Sequence, residues 1–158
     1  MSEKQKDSPN INKNVHPPIV AMIFIIVGLL LGRFIPFLAN MPPIMKNIGL
    51  ALTFVGFLFG VGAFLEFRKA RTTLDPHGSA KTLVKSGIYR FTRNPMYLGL
   101  LLLLAGWALY LANILAFLFL PAFILYMNRF QIKPEERALM DRFGQKYLEY
   151  ASRVNRWI

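Results

Sequence analysis

Two short stretches of this chain gather the groups that could do chemistry. One is "YRFTRNPMY", Tyr89 to Tyr97; the other is "RFQIKPEE", Arg129 to Glu136. Together they supply the adjacent carboxylates Glu135 and Glu136, the guanidiniums of Arg93 and Arg129, the amide of Asn94 and the phenols of Tyr89 and Tyr97. Carboxylates accept hydrogen bonds from ammonium and hydroxyl groups, and guanidiniums donate to carboxylates. A carboxylate can also take a proton from a reacting nucleophile. Plainer uses exist for each residue. Arg90 and Arg93 can be interfacial cations, Pro95 a helix-start residue, Tyr97 part of an aromatic belt, and Glu135 and Glu136 a complement to a helix dipole. Singly these uses suffice, but together they leave the order Arg-Asn-Pro-x-Tyr unexplained.

The elements that position these residues are membrane spans. The chain has 158 residues, 54% of them hydrophobic, and the apolar residues fall in long runs. That pattern predicts an all-α integral membrane protein. A polar tail, residues 1–17, reads as a disordered cytoplasmic leader and contains His16. The first span is read over Pro18–Leu38, with Arg33 near its far end, placed either to snorkel or to act as a buried cation. The second is read over Ile44–Phe67 and carries Gly56-x-x-x-Gly60 and Gly60-Val61-Gly62, small residues suited to close helix packing. Residues 18–67 thus form a two-span unit and 68–158 a second region. Met96–Met127 is too long for one span and short for two. It reads as a tight hairpin turning at Leu111-Ala112-Asn113, with a bend at Pro121; the other geometry is one strongly tilted helix. Beyond it, "KPEERALMDRFGQKYLEYASRV" has Leu139, Met140, Phe143, Tyr147, Leu148, Ala151 and Val154 at helical spacing. This predicts one cytoplasmic amphipathic helix, with Gly144 at a close packing contact.

Charge gives the orientation. The formal net charge is +11. The Lys and Arg residues lie almost wholly in the leader, the 66–95 connection and the segment after Met127, while the other two turns hold none and Lys46 is the one cation near the outer side. About four transmembrane helices with both ends in the cytoplasm satisfy the positive-inside bias; three would expose one basic segment. The topology accounts for the charge, so nucleic acid is not an expected partner. Cysteine is absent, which excludes thiolate metal sites, and no metal-ligand spacing is present. Missing targeting signals fit a bacterial inner membrane. The hairpin brings its two ends together, so Asn94 and Tyr97 should lie near Arg129, Glu135 and Glu136 in a cytoplasmic pocket.

"LVKSGIYRFTRNPMYLG" followed by "RFQIKPEERALMDRFGQKYLEYASRV" resembles the integral membrane methyltransferases, the superfamily of isoprenylcysteine carboxyl methyltransferases and phospholipid methyltransferases. The resemblance covers roughly residues 72 to 154. It implies S-adenosyl-L-methionine as cofactor. By position it implies that Lys81, Thr82, Leu83, Val84 and Tyr89 wrap the cofactor. Asn94, Pro95, Met96 and Tyr97 would form the next wall, and Glu135 would hold a polar end. Arg129 and Glu136 would face a lipophilic or small-molecule acceptor and act as the catalytic pair. Many relatives have His where this chain has Asn94, which cannot ionise near neutral pH. Eukaryotic carboxyl methyltransferases have Arg at the position of Gln131. His77 is either a turn residue or a ligand contact. Two other classes remain beside the methyltransferase: a basic membrane protein that binds anionic lipid or a partner, and an NADPH-dependent membrane reductase. The acceptor and the oligomeric state are not legible in the sequence.

Overall fold

The computed structural model describes residues 16–34, 42–71, 82–112 and 114–158. Those residues are helical with connecting turns, and they include no strand. Helix α1 runs Pro17–Phe34 and α2 Ile44–Lys69. Helix α3 is Pro95–Tyr110, α4 Ile114–Phe117, α5 Phe119–Met127, α6 Lys133–Phe143 and α7 Gln145–Arg153. Most of the expected leader, Lys81, His77 and the turn at residues 35–41 lie outside the described residues.

One helix among the described residues, α2, is long and apolar enough to cross a membrane. Its 26 residues reach about 39 Å at 1.5 Å each, more than the ~30 Å hydrocarbon core. Helix α3 is apolar but has only 16 residues, about 24 Å. Large apolar side chains stand exposed on α1 and α2, among them Ile26, Leu50, Phe54 and Phe57. In water that surface would be a liability; in lipid it faces its own kind.

Glycines join α2 to α3. A Cβ on Gly49 would sit 2.5 Å from the Gly106 carbonyl oxygen, and one on Gly56 would sit 2.7 Å from that of Gly99. The two helices run antiparallel with backbone against backbone, in the manner of small-residue interfaces in lipid. Gly60, expected in that interface, has nothing within 4 Å of where its Cβ would lie. It faces an apolar groove with Phe64, Met96, Gly99 and Leu103. The small-residue pattern marks the right helix; at position 60 it is the backbone N, 3.1 Å from where a Cβ on Gly99 would stand, that meets α3.

The hairpin turn lies where the sequence predicts it. Helix α3 stops at Tyr110, and Ala112 takes a left-handed φ of 52° before the chain re-enters helix. The returning arm breaks between α4 and α5 at Leu118. Pro121 explains the break, because it lacks an N–H for Phe117 and its ring crowds that carbonyl. Phe24 of α1 covers this arm through Phe119 and Phe123, with ring centroids 5.5 and 6.2 Å apart. Phe123, Met127 and Ile132 are fully buried beside Val20, Ala21, Tyr97 and Leu104, forming the main core.

Two features differ from the sequence reading. Helix α5 does not end before Pro134; it continues through a π-helical turn, Asn128–Ile132, straight into α6. The expected single amphipathic helix is two helices, broken at Gly144 with φ 50° and ψ −125°. No atom lies within 4 Å of a Cβ there. The glycine therefore serves the bend and not a packing contact, since that backbone conformation suits only glycine.

Candidate active site

Helix α2, the connection before α3, the start of α3, and helices α6 and α7 enclose one cavity. Its walls are Phe67, Thr82, Leu83, Val84, Tyr89, Arg93, Asn94, Met96, Tyr97, Glu135, Glu136, Leu139, Tyr147 and Tyr150. Counted out to its open mouth, solvent space included, it holds about 800 Å³.

The start of α3 sets one wall. Pro95 at the first helical turn needs no N–H partner there and is buried. Asn94 precedes it at φ −129° and ψ 56°, outside the helix. Further into the first turn, Tyr97 is buried and its hydroxyl donates to the Glu135 carboxylate. This bond joins the two ends of the hairpin. The π turn contributes to the opposite wall. An extra residue in such a turn rotates the helix beyond it, and π turns recur at functional sites. Glu135 and Glu136 emerge just after it and point into the cavity.

Glu136 is held on both oxygens. The Arg156 guanidinium donates to it twice, at 3.0 and 2.6 Å, and Arg93 lies 3.1 Å away. Arg93 also donates to the Tyr147 hydroxyl at 3.1 Å, while its Nε is buried with no partner. The segment Asn155–Trp157 closes this side. The Arg156 carbonyl accepts from Thr92 at 3.2 Å and from the Asn94 amide at 2.9 Å, and the Asn155 carbonyl accepts from the Arg93 N–H at 3.0 Å. Trp157 donates to Asn128 on the π turn at 3.1 Å. The Tyr150 hydroxyl donates to the Tyr89 carbonyl at 2.7 Å. Burial pushes the phenols of Tyr89 and Tyr150 well above their ordinary range. It also raises that of Tyr147, where the Glu136 charge adds to the effect and Arg93 opposes it. The hydrogen bonds to Glu136 raise the Arg156 guanidinium further.

Of the residues singled out in the sequence, Thr82, Leu83, Val84, Tyr89, Asn94, Met96, Tyr97, Glu135 and Glu136 share this cavity. Pro95 supports it from the first turn of α3. Arg129 does not line it; it stands exposed on the π turn, its guanidinium 5.6 Å from the centre of the Phe130 ring. Arg93, Tyr147 and Leu139 line the cavity, although the sequence marks them only as a cation and an apolar stripe. Arg156 lies beyond both motifs and acts in part through its carbonyl, which any residue type supplies, and Thr92, although inside YRFTRNPMY, is not among the groups that the motif's chemistry singles out. Among the described residues no cluster of metal ligands occurs.

The sequence profile of the phospholipid methyltransferase family matches residues 44–146. A Haemophilus influenzae protein with no assigned function is 49% identical over 63 residues, 40% of this chain and all of its own length. The protein-S-isoprenylcysteine O-methyltransferase of Saccharomyces cerevisiae is 37% identical over 79 residues, 48% of this chain and 32% of the yeast protein. The protein-S-isoprenylcysteine O-methyltransferase A of Arabidopsis thaliana is 33% identical over 119 residues, 70% of this chain and 57% of its own length. The chain therefore spans a third to just over half of these two enzymes.

Proposed function

The chain belongs to the phospholipid methyltransferase family, and from that premise we propose that it is an S-adenosyl-L-methionine-dependent methyltransferase of the cytoplasmic membrane face. The acceptor is a lipophilic or small molecule with a carboxylate, thiol or amine nucleophile. The observation that carries this reading is the one cavity that unites Thr82–Val84, Asn94, Tyr97 and Glu135. The donor fits these walls. Its ammonium and ribose need acceptors, which Glu135 and the Thr82–Val84 backbone supply. Its carboxylate needs a donor, and the buried Nε of Arg93 has no partner of its own. Its flat base needs apolar faces, which Leu83, Val84 and the ring of Tyr89 offer. Leaving any of these charges buried and unpaired would be costly.

When bound, the cofactor supplies an electrophilic methyl group on a sulfonium. The protein's task is then alignment and exclusion of water. Asn94 is tied to the Arg156 carbonyl and serves binding, not proton transfer. Both oxygens of Glu136 hold guanidiniums, which favours a role in holding Arg93 toward the donor's carboxylate. Arg129, outside the wall, would meet the acceptor only at the rim. The acceptor's tail enters from the bilayer. In this reading α1, α2, α3 and the α4–α5 arm are four spans with both ends in the cytoplasm.

Calorimetric titration of the detergent-solubilised chain with S-adenosylhomocysteine tests the assignment. Saturable binding, lost in Glu135→Ala, is the expected result. Absence of binding by folded protein, in detergent and again in lipid nanodiscs, would overturn it.

A further inference from the structure

Glu66 does not line the cavity, yet it is only 9% exposed near the end of α2. A carboxylate so little exposed needs partners that satisfy it. Its carboxylate reaches off its own helix. One oxygen accepts from the Ser86 hydroxyl at 2.6 Å and the other from the Lys69 ammonium at 2.9 Å. The Lys69 side chain is 72% exposed, so that pair is screened by solvent and contributes little. The bond to Ser86 is the one that joins two elements.

Gly87, the next residue, has φ 57°, and a Cβ on it would stand 2.5 Å from the Glu66 carboxyl carbon. The backbone thus lies directly against the carboxylate, in a left-handed conformation that favours glycine. On either side of this turn the chain enters the cavity wall, at Val84 and at Tyr89. Both pack on Ala63, one turn before Glu66, and Tyr89 meets Phe67 edge-on with centroids 5.6 Å apart.

We propose that Glu66 is a positioning residue for the donor site. Its carboxylate pins the Ser86–Gly87 turn to α2, and so fixes Thr82–Val84 and Tyr89 where they wall the cavity. The inference rests on the reading of that cavity as the donor's site. A hydrogen bond to a charged acceptor is stronger than a neutral one, and here it holds a turn whose two flanks are both ligand walls. The glycine contacts that fix α2 to α3 at Gly49 and Gly56 lie elsewhere along the helix, so loss of the pin loosens the turn and leaves the helix pair intact.

The test is calorimetry of the full chain in detergent with S-adenosylhomocysteine, on the unaltered protein, Glu66→Ala, Glu66→Gln and Ser86→Ala. Glu66→Ala should weaken affinity on the order of tenfold with unchanged stoichiometry. Glu66→Gln keeps an acceptor oxygen for Ser86 and should recover most of the loss. Ser86→Ala, at an exposed position, should match Glu66→Ala. A merely structural role would lower the fraction of binding-competent protein and leave the affinity of the remainder alone. That outcome overturns the proposal, as does full affinity in Ser86→Ala. If Glu66→Ala does not fold, Ser86→Ala decides. Failure of the unaltered, folded protein to bind would sink the donor-site reading itself, and the proposal with it.

Discussion

Tyr89, Tyr147 and Tyr150 form much of the cavity wall outside the membrane helices, and burial holds all three phenols in the neutral form. The sign of the resulting pH dependence is fixed. Below about pH 10 tyrosine is neutral in both the folded and the unfolded chain, and the full contribution to stability is present. Above it the unfolded chain loses protons that the folded one keeps, so stability falls as pH rises through the folded values. These three should titrate late. A spectrophotometric tyrosinate titration should show them ionising together with loss of helix, and independent ionisation near the ordinary value would refute their burial. At this scale the sequence is readable where a side chain acts within a motif. Tyr97 and Glu135 are expected together and are hydrogen-bonded. It is opaque where the backbone acts: the Arg156 carbonyl organises Thr92 and Asn94, and any residue type supplies a carbonyl.

Among the elements, the α2–α3 pair makes the sharpest prediction. Gly106→Ala would place a methyl against the Thr53 hydroxyl and 2.5 Å from the Gly49 carbonyl, and should destabilise by about 1–3 kcal/mol through overpacking. Gly60→Ala meets no neighbour and should be neutral or slightly stabilising, since Ala exceeds Gly in helix propensity by up to ~1 kcal/mol. Unfolding of both variants in mixed micelles checks the contrast; equal losses would show that spacing, not contact, governs. The apolar runs and the hairpin turn are legible because apolar length and turn chemistry are local signals. The π turn at Asn128–Ile132 and the bend at Gly144 are not. Both are set by how a helix must rotate to meet α3 and the cavity, and hydrophobic period alone does not encode that rotation.

For the molecule as a whole, the proposed four-span topology is testable because the chain contains no cysteine. In intact cells, Lys85→Cys and Ser152→Cys should resist a membrane-impermeant maleimide until the membrane is opened, and Pro42→Cys should react at once. Reaction of Ser152→Cys from outside would replace four spans by three. Charge distribution is enough to frame this expectation, whereas no composition could tell which segment completes the site. The structure does: Asn155 and Arg156 supply the carbonyls that fasten Arg93, Thr92 and Asn94. That has a consequence for biosynthesis. The apolar helices α1 to α5 precede this segment and leave the ribosome before it. A chain truncated after Val154 would keep every span proposed above, yet its Asn94 amide would lack the carbonyl that holds it. In the four-span reading, insertion and the closing of the cavity wall therefore draw on separate parts of the polypeptide, and the second needs a few residues beyond α7.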